Sequence, residues 1–237
     1  MRIKELLEDI VVDRAAYSKS DADSRVDMLS QEKRKWKKIP SFAKAEFPLD
    51  EFEVVWDKNL GIFKTWEIVV RHIKSGEIAF SLRAEEEKIA TDAGVVTGLS
   101  TDLASISNKY SGRGLGALLY QFLINNGQIL FSSDVQSIGG KKLWLKMVEA
   151  NNENTFLVVP VKSPLLSSRA FSKLQIPKTK TKNKTWAANV VIGGSNEDLL
   201  KLAYSKNDYN QSKLLIVPKD SAIFDKLNKI AFKKDIT

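Results

Sequence analysis

The sequence predicts a mixed α/β (α+β) fold: a central, mostly antiparallel sheet flanked by helices, with a helical N-terminal extension and an α/β C-terminal extension. Three observations predict it. From Asp50 onward the apolar residues take up the alternating period of strands. At Tyr110-Ser-Gly-Arg-Gly-Leu-Gly-Ala117, three glycines at alternate positions open a run with helical apolar spacing, Leu115, Leu118, Leu119, Phe122 and Leu123. Beyond it, short apolar strands and helical segments alternate as far as Pro160, the order of a mixed sheet covered by helices.

In chain order, residues 3–16 carry Ile3, Leu6, Leu7, Ile10 and Val11 at amphipathic helical spacing. A second helix is expected from about Ser24 through the basic run Lys33-Arg-Lys-Trp-Lys-Lys38, where cations suit a helix C-terminus and Pro40 stops it. Phe52–Trp56 and Thr65–Ile73 read as strands, and Lys74-Ser-Gly-Glu77 turns the second into Ile78–Leu82 as a hairpin. Glu85–Glu87 reads as a solvated loop or helix. A further strand covers Val95–Leu99 or Leu103–Ile106 and leads into the glycine loop. Ile129–Phe131 is a short strand, Gly139-Gly140 opens the helix Lys141–Glu149, and Thr155–Pro160 is a buried strand. After a lysine-rich exposed loop at 176–185, Trp186–Ile192 and Leu214–Val217 are strands. Glu197–Tyr204, capped by Ser195 or Asn196, and Ser221–Phe232 are helices. The organisation expected is a helical segment 1–47, a central domain 48–162 and a basic segment 163–237.

Composition narrows the chemistry. The chain has 237 residues, 43% apolar and 28% charged, which suits a soluble globular protein with a sizeable core. It has no cysteine and one histidine, His72, so disulfides, thiolate zinc sites, cysteine nucleophiles and multi-histidine metal sites are excluded. His72 falls on the polar face of its strand or near the turn. The N-terminus has no signal-peptide core and no apolar run is long enough to span a membrane, so a cytoplasmic protein is expected. The net charge is +8, and residues 163–237, with 14 basic and 6 acidic side chains, carry that whole excess. Such a region is either a solvated surface or a contact for an acidic protein partner, a polyphosphate or nucleic acid. For nucleic acid, charge at residues 173–184 is the whole support, since no binding motif accompanies it.

The glycine loop is the chemical centre of the sequence. Glycines leave backbone N–H groups unshielded, and a following helix aims its own free N–H groups and dipole at the same point, which favours phosphate. A plain turn and helix cap is the alternative. No Gly-Lys-Ser/Thr follows, and position 119 is Leu where a dinucleotide fingerprint requires Gly, so neither standard nucleotide loop is present.

In register around the loop, Ile106, Ser111-Gly-Arg-Gly-Leu-Gly116 and Ser137-Ile-Gly-Gly-Lys-Lys-Leu-Trp144 resemble, over about residues 48–162, the GNAT superfamily of acetyl-CoA-dependent N-acyltransferases. Residues 133–144 also resemble a branch of it often carried by bacteriophages. The resemblance implies acetyl-CoA as cosubstrate, with its pyrophosphate on the N–H groups of Arg113 to Ala117 and the Arg113 side chain at its edge. It implies that the strand at Ser105 and Ile106 splays to pair with pantetheine and polarises the thioester carbonyl. The contact set it implies is Ser105, Ile106, Ser111, Gly112, Arg113, Gly114, Leu115, Gly116, Ala117, Gln136 and Ser137. Asp134 and Gln136 follow the short strand, where family members place ligand contacts.

Four positions depart from the family pattern: Ser111 replaces Arg/Gln, Ser137 replaces Asn, Gly140 replaces Ala, and Trp144 replaces the tyrosine that commonly protonates the departing thiolate. An indole is no acid near neutral pH, so Ser137, Tyr110 or solvent takes that role. Glu67, Asp102 and Asp134 are candidate bases. Two functions follow from the resemblance: an N-acetyltransferase acting on a primary amine of a small molecule or protein, or a catalytically degenerate binding or virion-associated module of the same fold.

Overall fold

The structure, a computed structural model, describes residues 19–31, 35–38, 45–59, 65–91, 93–133, 138–160, 189–204 and 212–233. Its helices are α1 (Lys19–Gln31), α2 (Leu115–Asn125), α3 (Ile138–Ala150), α4 (Asn196–Ala203) and α5 (Phe224–Ile230). The strands are β1 (Lys37–Lys38), β2 (Phe52–Asn59), β3 (Thr65–His72), β4 (Ile78–Thr91), β5 (Gly94–Ile106), β6 (Leu130–Phe131), β7 (Thr155–Pro160), β8 (Asn189–Gly193), β9 (Lys213–Ile216) and β10 (Phe232–Lys233). All ten belong to one mixed sheet in the order β1-β2-β3-β4-β5-β6-β9-β7-β8-β10, and most neighbours are antiparallel. The helix expected at 3–16 and the loop expected at 176–185 lie outside the described residues.

β2 to β5 form an antiparallel meander whose hairpins follow from local chemistry. At the Ser75-Gly76 turn, Gly76 takes φ 72°, a conformation open to glycine, and its N–H donates to the His72 carbonyl at 2.8 Å. The two alternative strand segments at 95–99 and 103–106 are one strand. A register shift opposite Arg83/Ala84 leaves Asp102 as the extra residue of a bulge, which reverses the alternation along β5. Glu85–Glu87 is neither loop nor helix but the middle of β4, paired with Ser100, Leu99 and Gly98. Its charge is tolerated because the consecutive Glu85 and Glu86, which point to opposite faces, are both exposed, and Lys213 reaches both Glu87 carboxylate oxygens at 2.7 Å. The basic run 33–38 does not close a helix. α1 ends at Gln31, and Lys37 and Lys38 pair with Trp56 and Val55. Trp36 packs there against the cluster of Val26, Leu29, Val55, Val69 and Ile78. Likewise the last helix stops at Ile230, and Phe232–Lys233 pairs with β8.

Burial explains how the layers stack. On one face α2 and α3 set Leu115, Leu119, Phe122, Leu123, Trp144 and Met147 against Val54, Ile68, Val70, Phe80 and Leu82 of the sheet. Each such fully buried side chain stabilises by about 1.5–3 kcal/mol. Leu118, expected on that face, is only half-buried. α1 covers Val55, Val69 and Ile78 on the opposite face. The far part of the sheet curls until Thr91 of β4 meets Asn189 of β8, so β4, β5, β6, β9, β7 and β8 together enclose a second core with Phe131, Phe156, Leu215 and, from α5, Leu227. Among the described residues no helix is long and apolar enough to cross a membrane.

Candidate functional site

The glycine loop joins the end of β5 to α2. Ser107 donates its N–H to Ala79 at 3.0 Å, a single 3-10 turn covers Asn108–Tyr110, and Ser111 donates to Asn108 at 3.2 Å. Gly112 (φ 81°) and Gly114 (φ 72°) then take left-handed conformations, and a Cβ at either would meet nothing within 4 Å. Gly114 is the N-cap of α2 and has no side chain to cap it. The first helical N–H to find a carbonyl is that of Leu118, on Gly114 at 3.1 Å. The N–H groups of Leu115, Gly116 and Ala117 therefore have no helical acceptor, and no acidic side chain in the first turn offsets the dipole. Gly116 is small for another reason: an added Cβ would stand 3.1 and 3.2 Å from the Phe80 ring and 3.4 Å from Leu143. The helix start thus lies directly on the sheet.

The Arg113 side chain turns away from the helix axis. Its guanidinium pairs with Glu51 and stacks 5.0 Å from the Phe52 ring centroid. Ser111 is exposed, and its N–H is held within the turn.

Beside the loop, the sheet splits. β5 pairs with β4 over its full length but with β6 only at Leu99/Leu130 and Ser100/Phe131. β6 then follows β9, with Ser132 N–H on the Leu214 carbonyl at 2.9 Å. From Thr101 onward the outer edge of β5 has no strand beside it among the described residues. The Ser107–Ala79 bond sets the phase of the ladder, since bonded residues alternate in an antiparallel pair. Ser105 and Leu103 accordingly bond to β4, while the N–H and C=O groups of Ala104 and Ile106 face the fork. Of the two strand residues expected to contact ligand, Ile106 presents its backbone there and Ser105 does not. The Ser105 hydroxyl is buried opposite that of Ser81, and neither has a hydrogen-bond partner.

The candidate acids and bases separate. Tyr110 is buried with its ring 5.6 Å from Phe52 in β2 and 6.0 Å from His72 in β3, across β4 and β5 from the fork. Its hydroxyl donates to Glu77 at 2.7 Å, beside Lys109 at 2.5 Å and Ser75 at 2.9 Å. Lys109, then Tyr110 and Ser75, hold the Glu77 carboxyl down to about 2. His72 completes this network through Ser75, 2.9 Å from Nδ1. Glu67 is buried on the α1 face, paired with Arg25 and 3.7 Å from Arg83. Asp102 is exposed in the bulge, one residue beyond Thr101. Asp134, Gln136 and Ser137 lie outside the described residues.

Trp144 is a core residue, 2% exposed, and meets Tyr120 of α2 edge-on at 5.9 Å and 82°. Sequence reading passed over Tyr120, which sits among leucines and phenylalanines. Its signal is its place four residues after Gly116, on the helix face nearest the sheet. Burial pushes its phenol up to about 12, against a smaller lowering by the Thr101 hydroxyl.

Neither a family model nor a curated protein matches the sequence. Among solved structures, the fold is similar to Saccharomyces cerevisiae N-myristoyltransferase with bound myristoyl-CoA, at 10% identity and a TM-score of 0.32. The match covers 76% of this chain and 50% of that one, so this chain spans about half the length of that protein.

Proposed function

We propose that the chain is an acyl-CoA-dependent N-acyltransferase that moves an acetyl group from acetyl-CoA to a primary amine of a small molecule or protein. The observation that carries this reading is the adjacency of two backbone elements: the N-terminus of α2, which no side chain caps, and the edge of β5 from Thr101 onward, which no strand covers among the described residues. The first suits a pyrophosphate, and the second suits an extended chain carrying amides. Bound across both, acetyl-CoA supplies the activated acyl group. The N–H groups of Leu115, Gly116 and Ala117 hold the phosphates, and Gly112 and Gly114 keep the approach free of side chains. Ala104 and Ile106 orient the pantetheine amides along β5, and a backbone N–H of that edge polarises the acyl carbonyl. Asp102, through water, takes the proton released by the attacking amine.

Titration calorimetry with acetyl-CoA and with CoA tests the reading, alongside a Gly114→Asp variant. Aspartate tolerates the left-handed conformation, and its carboxylate enters the space open at Gly114. Binding by the wild type and its loss in the variant are expected. No binding to the wild type at ligand concentrations near millimolar overturns the proposal.

A second reading, a non-catalytic module of the same fold such as a virion-associated protein, is favoured by Trp144, which buries an indole where the family places its acid. It predicts acetyl-CoA binding without thiol release in the presence of any amine.

A further inference from the structure

The strands around the second core form a ring, and a charged pair spans it. The order β4-β5-β6-β9-β7-β8 closes where Thr91 meets Asn189, which puts β4 and β9 on opposite sides. In a flat sheet, strands three places apart stand about 14 Å from each other. Here Lys213 of β9 donates to both carboxylate oxygens of Glu87 in β4 at 2.7 Å. Both side chains are turned inward, and they are 17% and 29% exposed. Glu87 shares a strand face with Ile89, and Lys213 with Leu215, and those two belong to the second core. Phe131 lies between the charges. Its ring comes within 2.9 Å of where a Cβ on Gly98, the partner of Glu87, would stand, and its backbone pairs with Leu215. Phe131 also makes the last pair of β6 with β5, so the ion pair sits over the vertex of the fork. The other face of the vertex is filled by Leu99, Leu130 and, from α2 and α3, Leu119 and Trp144.

We propose that the Lys213–Glu87 pair is the acyl-length stop of the site, restricting the transferred group to a short one such as acetyl. The inference rests on the acyl-CoA reading above and adds to it a limit on the acyl chain. With the phosphates at α2 and pantetheine along Ile106 and Ala104, the acyl group is directed at the vertex, where β5 and β6 rejoin. A methyl group ends there. A longer chain has to leave the plane of the sheet, and the face under α2 is already packed. On the opposite face it meets two charges in contact. Hydrocarbon driven between them parts an ion pair that is largely out of water and leaves each charge without its partner. Behind the pair the wall is apolar, made of Ile89, Phe131, Val158 and Leu215. The charges, rather than that wall, exclude the chain.

The test is binding, so that no acceptor need be known. CoA, acetyl-CoA, butanoyl-CoA and hexanoyl-CoA are titrated into the wild type, and each affinity is taken as a ratio to that for CoA. From acetyl to hexanoyl the wild-type ratio is expected to fall by about 10-fold, a partly exposed pair opposing the chain less than a fully buried one. The double variant Glu87→Ala, Lys213→Ala removes both charges together, leaves neither unpaired and frees their volume. In it the ratio should instead rise with length, by up to about 4-fold for each methylene that reaches the apolar wall. The double variant Glu87→Gln, Lys213→Met keeps the volume without the charge. It should lose part of the discrimination, and it carries the test if the alanine pair does not fold. A wild type that binds hexanoyl-CoA as tightly as acetyl-CoA, or folded variants that keep the wild-type ratios, overturns the stop and leaves the acyl-CoA site standing. Failure of the wild type to bind either CoA or acetyl-CoA overturns both.

Discussion

Where the chain enters it, α2 is bare: Gly114 caps it without a side chain, and Gly112 and Gly114 are exposed. Within one further turn the same helix is packed solid, with Leu119 and Leu123 at 0% exposure and Tyr120, Phe122 and Ile124 buried beside them. The two parts obey opposite demands. Anion recognition by backbone needs side chains to be missing, whereas holding a helix on a sheet needs volume to be filled. Gly116 belongs to both, since its missing Cβ lets the helix start rest on Phe80.

Substitutions that fall on one side of this divide should leave the other intact. The largest effect is expected in the body of the helix. Leu119→Ala or Leu123→Ala removes a fully buried side chain and should cost about 2–5 kcal/mol in urea unfolding, without changing the ligand affinity of the folded fraction. Gly116→Val comes next, since it forces a branched side chain against Phe80 and Leu143. Overpacking of this kind costs about 1–3 kcal/mol, and here ligand affinity should fall as well because the helix start is displaced. Equal affinity in that variant would break the link between the two demands. Gly114→Ala meets open space but takes φ 72°, so a loss of about 1–2 kcal/mol from left-handed strain is expected. Gly114→Asn should recover part of it, as thermal unfolding would report.

The smallest effect lies at the anchor of the loop. The Glu77 carboxyl is held at about 2, below its ordinary value of 4.5. Its folded pKa being depressed, its contribution to stability is present above the ordinary value and is lost as pH falls toward about 2. Thermal midpoints of wild type and Glu77→Gln should therefore differ most near neutrality and converge between about pH 4.5 and 2. The carboxylate is solvent-facing, so the gap should also shrink with salt.

Where neighbours in sequence decide the structure, the sequence was informative. The meander from Phe52 to Ile106, the Ser-Gly turn and the glycine loop entering a helix follow from period, turn chemistry and capping. Distance in sequence hid the rest. Three successive glutamates at 85–87 obscure a strand whose charge is met by Lys213, 126 residues away. The lysines at 37 and 38 suit a helix end until β2 offers them an edge. The fork forms because the chain leaving β6 keeps to β9 and parts from β5, which no local pattern records. Proximity to the loop drew attention to Tyr110, whose hydroxyl is on Glu77, whereas Tyr120 hides in an apolar run and packs against Trp144.

The position of β9 bears on how the molecule is made. It lies between β6 and β7, although it follows both in the chain, and it holds β6 on the side away from β5. During synthesis the outer arm of the fork thus has no partner until residues 213–216 emerge. The β6–β9 pairing is also one of the most distant in sequence, which makes its closure slow relative to the β2–β5 meander. A nascent chain would hold a folded meander and a finished glycine loop before it held a fork, so the site matures from the phosphate end toward the end proposed for chemistry.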